Sequence, residues 1–159
     1  VGIRYLNLCT DTQENAYVLK LDEVEAPSYL NHALKVVNRL QDITIGCFSE
    51  GLSGNEILKL ARDKAIKEGI VPCIYTHPIG HHGHGAGPTI GLWDMQNGVP
   101  GSGDYKLYND TLYSLELNAK VEIKEWNMVL TLGAETDIMF TDDRVHYVAG
   151  RQERFHLIK

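Results

Sequence analysis

The sequence predicts an α+β domain: two helices in the first half of the chain, preceded by a short strand pair and followed by a strand-rich second half. Three observations carry this reading. Apolar residues recur at helical spacing only between Ser28 and Gly69. From Thr111 onward they fall in short runs with the texture of strands. Between these regions lie segments so rich in Gly and Pro that regular structure is excluded. A chain of 159 residues fits one domain with a core of its own, so residues 1–159 read as a single unit.

The elements follow in order. The first twenty residues read as a hairpin. Ile3, Tyr5 and Leu8 form one extended run, Ala16 to Leu19 a second, and the polar stretch Thr10 to Asn15 lies between them as the turn. The first helix spans Ser28 to about Asp42, with Leu30, Leu34, Val37 and Leu40 on one face. The second is marked by Ser53 with Glu56 three residues on, a capping box. Ile57, Leu58, Ala61, Ala65 and Ile66 supply its apolar stripe, and Gly69 stops it. Val71 to Tyr75 reads as a strand, and Asn97 to Asp104 as a loop. The remaining strands are expected at Thr111–Leu117, Val121–Trp126, Met128–Leu132, Ile138–Thr141 and Val145–Val148.

Composition narrows the function. The net charge of −6 argues against an electrostatic nucleic-acid footprint. No apolar run approaches the length of a membrane span, so no membrane partner is expected. Cys9, Cys47 and Cys73 are odd in number and scattered, which reads as free thiols in a reducing compartment and so as a cytoplasmic protein. The start at Val1 rather than Met reads as a boundary inside a longer protein.

The chemistry concentrates after the second helix. Four of the seven histidines fall in Thr76-His77-Pro78-Ile79-Gly80-His81-His82-Gly83-His84. Pro78 and Gly80 rule against a helix there, leaving a strand end or loop. A His-rich flexible loop is the plain alternative. His82-x-His84 also has the spacing of a cupin-type metal pair, but that site needs a nearby Glu, and Gly85 to Gly91 has none. Glu116 and Glu135 each lie in or beside an apolar strand run, where a Glu ordinarily faces solvent. Two of them together with the histidines fit hard divalent ions, which take several carboxylate oxygens plus an imidazole. Asp11, in Thr10-Asp11-Thr12, reads by itself as a turn residue.

Taken in order, these residues resemble the ligand series of the pita-bread metallopeptidases, the family of methionine aminopeptidase, aminopeptidase P and prolidase. That series is Asp, Asp, His, Glu, Glu. His77-Pro78-Ile79-Gly80-His81 is similar to the family's H-G-I-G-H motif; Leu115-Glu116 and Glu135-Thr136-Asp137-Ile138 resemble its two Glu strands. The resemblance implies an antiparallel curved sheet with covering helices, incomplete at the N-terminus. It implies Asp11, His81, Glu116 and Glu135 as metal ligands, with His77 contacting substrate and Glu116 assisting proton transfer. Val1-Gly2 matches the end of the D-x-G strand, which puts the first Asp just before Val1 and leaves this chain weak or inactive alone.

The same resemblance implies two divalent ions (Mn, Co, Fe or Zn) holding a bridging water, a peptide substrate of Xaa-Pro type cleaved at its N-terminal bond, and a possible homodimer. The departures point to a divergent branch, the Xaa-Pro peptidase-like proteins of bacteria. Leu117-Asn118 stands in place of Pro-Gly, and Gly133 in place of a basic residue. Pro88 occupies the position, seven residues after the metal His, where the family carries a further histidine; His82 or His84 could replace it. The competing expectation is a pita-bread domain without metals that binds peptides or protein partners.

Overall fold

A computed structural model describes residues 1–159. Two helices, α1 (Ser28–Ile45) and α2 (Gly54–Lys67), follow three short strands, β1 (Arg4–Tyr5), β2 (Leu8–Cys9) and β3 (Ala16–Val18). Strands β4 (Val71–Ile74) and β5 (His77–Ile79) lead into the Gly-rich segment. Then come two long strands, β6 (Thr111–Ile123) and β7 (Met128–Thr141), and finally β8 (Arg144–Tyr147) and β9 (His156–Ile158). The α+β class predicted from the sequence is the class observed.

The main sheet is antiparallel in the order β4-β6-β7-β8, with β5 continuing beside β6 where β4 ends. Its two faces are set by strand alternation. Tyr113, Leu115, Leu117, Ala119, Val121 and Ile123 of β6 are buried against the helices, as are Leu132, Ala134, Ile138 and Phe140 of β7. Ala33, Leu34, Val37, Leu40, Ile57, Leu58, Ala61 and Ala65 of the helices complete one continuous core with them. Burying one such aliphatic side chain stabilises the fold by roughly 1.5–3 kcal/mol. The opposite face carries Ser114, Glu116, Asn118, Glu135 and Asp137, and the candidate site is built there.

Local rules place the helices. Ser53 caps α2, its hydroxyl accepting from Glu56 N while the Glu56 carboxylate accepts from Ser53 N, as the capping box predicts. Gly69 follows the helix at φ +79°, the left-handed backbone a helix stop takes. α1 runs three residues past the expected Asp42 (45 against 42). Burial of Ile43 and Thr44 outweighs their β-branched reluctance, and Thr44 Oγ1 donates back to Leu40 O at 2.8 Å.

Three expectations are corrected. The first twenty residues do not form one hairpin. β1 and β2 make a tight one across Leu6-Asn7, both at positive φ, while β3 pairs in parallel with β9 at the far end of the chain. Thr111–Leu117 and Val121–Trp126 are not separate strands. Asn118 and Lys120, polar residues that read as a break, sit on the face away from the core, so β6 passes through them and only Lys124–Trp126 turns, as a 3-10 helix. Met128–Leu132 and Ile138–Thr141 are likewise one strand, β7, because Gly133 to Asp137 pair with β6. No helix is long and apolar enough to cross a membrane, and the three cysteines are unpaired.

Candidate metal centre

Strand register assembles the site. Glu116 on β6 lies directly opposite Glu135 on β7, and Ser114 lies opposite Asp137. On the other side of β6, His77 of β5 pairs with Ser114. Alternation then directs His77, Ser114, Glu116, Glu135 and Asp137 to one face. The segment after β2 crosses this face: Asp11 N donates to Asp137 Oδ1 at 3.1 Å, and Gln13 N to Glu135 O at 3.1 Å. Gly133 leaves room for the Gln13 side chain, whose Nε2 would stand 2.9 Å from a Cβ there. Ser114 Oγ lies 3.0 Å from Glu135 Oε1 and 3.1 Å from Asp11 O and donates to one at a time.

His77 is the centre of the cluster. It is buried, and its Nδ1 lies 3.2 Å from Pro78 O, a group that only accepts. The proton therefore belongs on Nδ1, and the Nε2 lone pair faces the carboxylates. Nε2 is buried without a hydrogen-bond partner, 3.6 Å from Glu116 Oε2 and 3.9 Å from Asp11 Oδ2. His84 comes back over it: Gly85 N donates to Pro78 O at 2.6 Å, a passage so close that a Cβ on Gly85 would stand 3.2 Å from the same oxygen, and the His84 ring stacks on His77 at 3.9 Å between centroids. Two overlapping triads result, Asp11-His77-His84 and His77-Glu116-Glu135, each with ligand atoms within 4.8 Å of one another.

The electrostatics suit a divalent cation. Burial and the facing Glu116 carboxylate push Glu135 up to about 7, with the Ser114 hydrogen bond working against the shift. Burial also raises Asp137, offset in part by the Asp11 N–H. Burial alone would lower His77, but the nearby Glu116 carboxylate, the Pro78 carbonyl on Nδ1 and the Asp11 charge outweigh it, and the imidazole is raised. Carboxylates that resist ionising together, around an orphaned imidazole nitrogen, are the donor set hard divalent ions take.

The structure brings together Asp11, His77, His84, Glu116 and Glu135, but not His81. The His81 ring is exposed, beside His82 and within 3.5 Å of Arg4 Nη2. β5 ends at Ile79, so His81 stands on the loop beyond the strand. His82 is exposed as well, and Pro88 is buried. Sequence reading missed Ser114 and Asp137, although each stands two residues from a candidate Glu on the same strand face. Beside the cluster opens a cavity of about 460 Å³ lined by Tyr75, His77, His84, Leu92, Trp93 and Glu116, among others. A larger hollow of about 610 Å³ over α2 contains Arg62 and Gln96 but no ligand cluster.

The sequence matches no protein-family model and no curated protein. The structure has clear relatives. It aligns with the X-Pro aminopeptidase of Thermotoga maritima MSB8 at TM-score 0.70 and 15% identity, over 99% of this chain and 40% of that one. The prolidase of Thermococcus sibiricus gives 0.66 and 16%, over 99% and 38%. The N-terminal domain of the FACT complex subunit SPT16 from Eremothecium gossypii gives 0.73 and 13%, over 99% and 35%. The chain spans two-fifths or less of the length of these structures. By its fold the chain is a pita-bread protein, sharing its architecture with Xaa-Pro peptidases and with the SPT16 N-terminal domain.

Proposed function

We propose that the chain carries most of the metal centre of a peptidase that hydrolyses the N-terminal bond of peptides, Xaa-Pro peptides foremost, with divalent ions held by Asp11, His77, Glu116 and Glu135. The observation that carries this reading is the buried, unpartnered Nε2 of His77 among three carboxylates. An unsatisfied polar atom in such a place costs about 1–3 kcal/mol, and a cation removes that cost while relieving the carboxylate repulsion. The ligand histidine is then His77 rather than His81. This choice also accounts for a departure noted in the sequence: the residue seven positions after His77 is His84, so the family's further histidine falls on a histidine instead of on Pro88.

Bound metal would supply Lewis acidity and a water made acidic enough to ionise near neutral pH. The rest falls to the chain. His77 is fixed in one tautomer by Pro78 O and offers Nε2 to the site. Asp137 holds the Asp11 backbone, and Ser114 orients Glu135. Glu116 borders both the ligand cluster and the cavity, so it can accept a proton from a water attacking a carbonyl there. His84 lies at the cavity wall with its ring largely exposed, placed to donate a hydrogen bond to the developing oxyanion. The preference for Xaa-Pro, the choice among Mn, Co, Fe and Zn, and a homodimeric state rest on family resemblance.

The second reading is a pita-bread domain that binds peptides or proteins without cleaving them. The good fit to a FACT subunit keeps it in play, since the fold alone does not separate the two. The deciding experiment incubates full-length protein with an Xaa-Pro dipeptide, with Mn²⁺ or with EDTA. Metal-dependent release of the first residue, lost in Glu116→Gln, is the expected result. Metal binding without hydrolysis of any dipeptide would favour the binding module.

A further inference from the structure

One wall of the cavity is built in an unusual way. The outer edge of β4 has no neighbouring strand, yet its polar groups at Ile74 are satisfied. The Gln96 side chain does this. Its Oε1 accepts from Ile74 N at 3.0 Å and from Arg62 Nη1 at 2.7 Å; its Nε2 donates to Ile74 O at 2.6 Å and to Leu92 O at 2.7 Å. One side-chain amide thus copies the paired bonds of an adjacent strand and ties them to a turn. That turn, Leu92–Met95, is closed by Met95 N donating to Leu92 O at 2.9 Å, and Cys73 Sγ lies 3.5 Å from Trp93 O. Its upstream end is pinned where Ile90 N donates to Thr76 O. Gly91 sits at φ +77° with its would-be Cβ 2.1 Å from Ile74 O, a place no side chain can enter.

This rigid mounting presents Trp93 at the cavity with its side chain largely unpacked: the residue is 75% exposed. A large exposed aromatic ring on a fixed platform, beside the ligand cluster, fits a surface kept for a ligand. Tyr75 and Leu92 continue the same wall, and apart from Glu116 and the two histidines the lining carries no charged side chain. We propose that Trp93 is a specificity-determining residue, that with Tyr75 and Leu92 it receives an apolar side chain of the substrate's first residue, and that Gln96 is the positioning residue that sets Trp93 in place. The proposal rests on the hydrolytic reading for the identity of its substrate, but the selectivity of the wall is measurable by binding alone.

The test uses full-length protein with Mn²⁺ and four small probes: the α-amides of leucine, phenylalanine, lysine and glutamate. Calorimetry is expected to show the two apolar amides binding about 10-fold or more tightly than the charged pair. Trp93→Ala should reduce that preference to about twofold, and Trp93→Phe should keep most of it. Gln96→Ala should also reduce it, and with Leu-Pro as substrate should raise KM several-fold with kcat nearly unchanged, whereas a general loss of structure would lower both kcat and the melting temperature. Equal affinity for all four amides, or an apolar preference that survives Trp93→Ala, overturns the proposal. Selective binding without hydrolysis of any Xaa-Pro dipeptide leaves the wall standing and defeats the peptidase reading instead.

Discussion

Replacing Glu135 by Gln separates what the carboxylate cluster costs the fold from what it does for a metal. Glu135 is 9% exposed and faces Glu116 across the β6–β7 register. Its proton affinity is raised from the ordinary 4.5 to about 7, by burial first and by Glu116 second. A group whose folded-state value lies above its unfolded value stabilises the fold below the unfolded value, and that contribution is lost as pH rises through the folded value. The window is therefore about pH 4.5 to 7. At about 1.4 kcal/mol per tenfold change in proton affinity the loss has a ceiling of about 3 kcal/mol. Asp11 and Glu116 are about a quarter exposed, so water screens the cluster and about 1–2 kcal/mol is the better expectation. Gln at 135 stays neutral throughout. In EDTA the variant should match the wild type near pH 4.5 and melt about 3–6 °C above it at pH 8. With Mn²⁺ at pH 8 the order should reverse, because the wild type gains a bound cation and the variant has lost a ligand. Scanning calorimetry at the two pH values, with and without metal, reads all four states. A difference that does not change with pH, or an equal response to Mn²⁺ in both proteins, would refute the reasoning.

Three further outcomes are expected. His77→Gln should weaken Mn²⁺ binding beyond the roughly 10–100-fold typical of an outer-sphere partner, while His81→Ala should leave it within about twofold; calorimetric titration of both variants decides which imidazole is the ligand. Ser53→Ala removes the hydroxyl that accepts from Glu56 N, the side-chain half of the α2 capping box, and should destabilise the protein by about 1 kcal/mol in urea denaturation. Gly91→Ala forces a Cβ against Ile74 O at a left-handed φ and should cost about 2–4 kcal/mol, read as a fall in the denaturation midpoint at unchanged slope.

What could be read from the sequence divides along physical lines. Both helices were legible, because period, cap and stop signals are local. Ser53, Glu56 and Gly69 act within a few residues of where they stand. The pairing of β3 with β9 was not, since nothing near Ala16 signals a partner about 140 residues away (Ala16 to His156). The extent of β6 and β7 failed for a different reason. Asn118, Lys120, Glu135 and Asp137 look like interruptions when read for hydrophobicity, yet each occupies the face turned from the core. The alternation that buries Leu115, Leu117 and Ala119 also projects Glu116 and Asn118 the other way, so the residues that obscured the strands are those that build the site.

The histidine frame shows why a motif needs its strand. In His77-Pro78-Ile79-Gly80-His81 either histidine could fit the ligand position by spacing alone. The register of β5 separates them. His77 pairs with Ser114 and so shares a face with Glu116. The strand ends at Ile79, and the exposed His81 ring on the loop beyond lies beside the Arg4 guanidinium. An imidazole that must meet two carboxylates from neighbouring strands has to stand on the strand, where its direction is fixed, and not on the loop beyond it. The Gly-rich loop has a separate task. Its close passage at Gly85 returns the chain over Pro78 and sets His84 on His77. Once His77 is taken as the ligand, the seven-residue spacing and the stacking describe one arrangement: a strand histidine that meets the cluster, and a loop histidine carried back to face the same cavity.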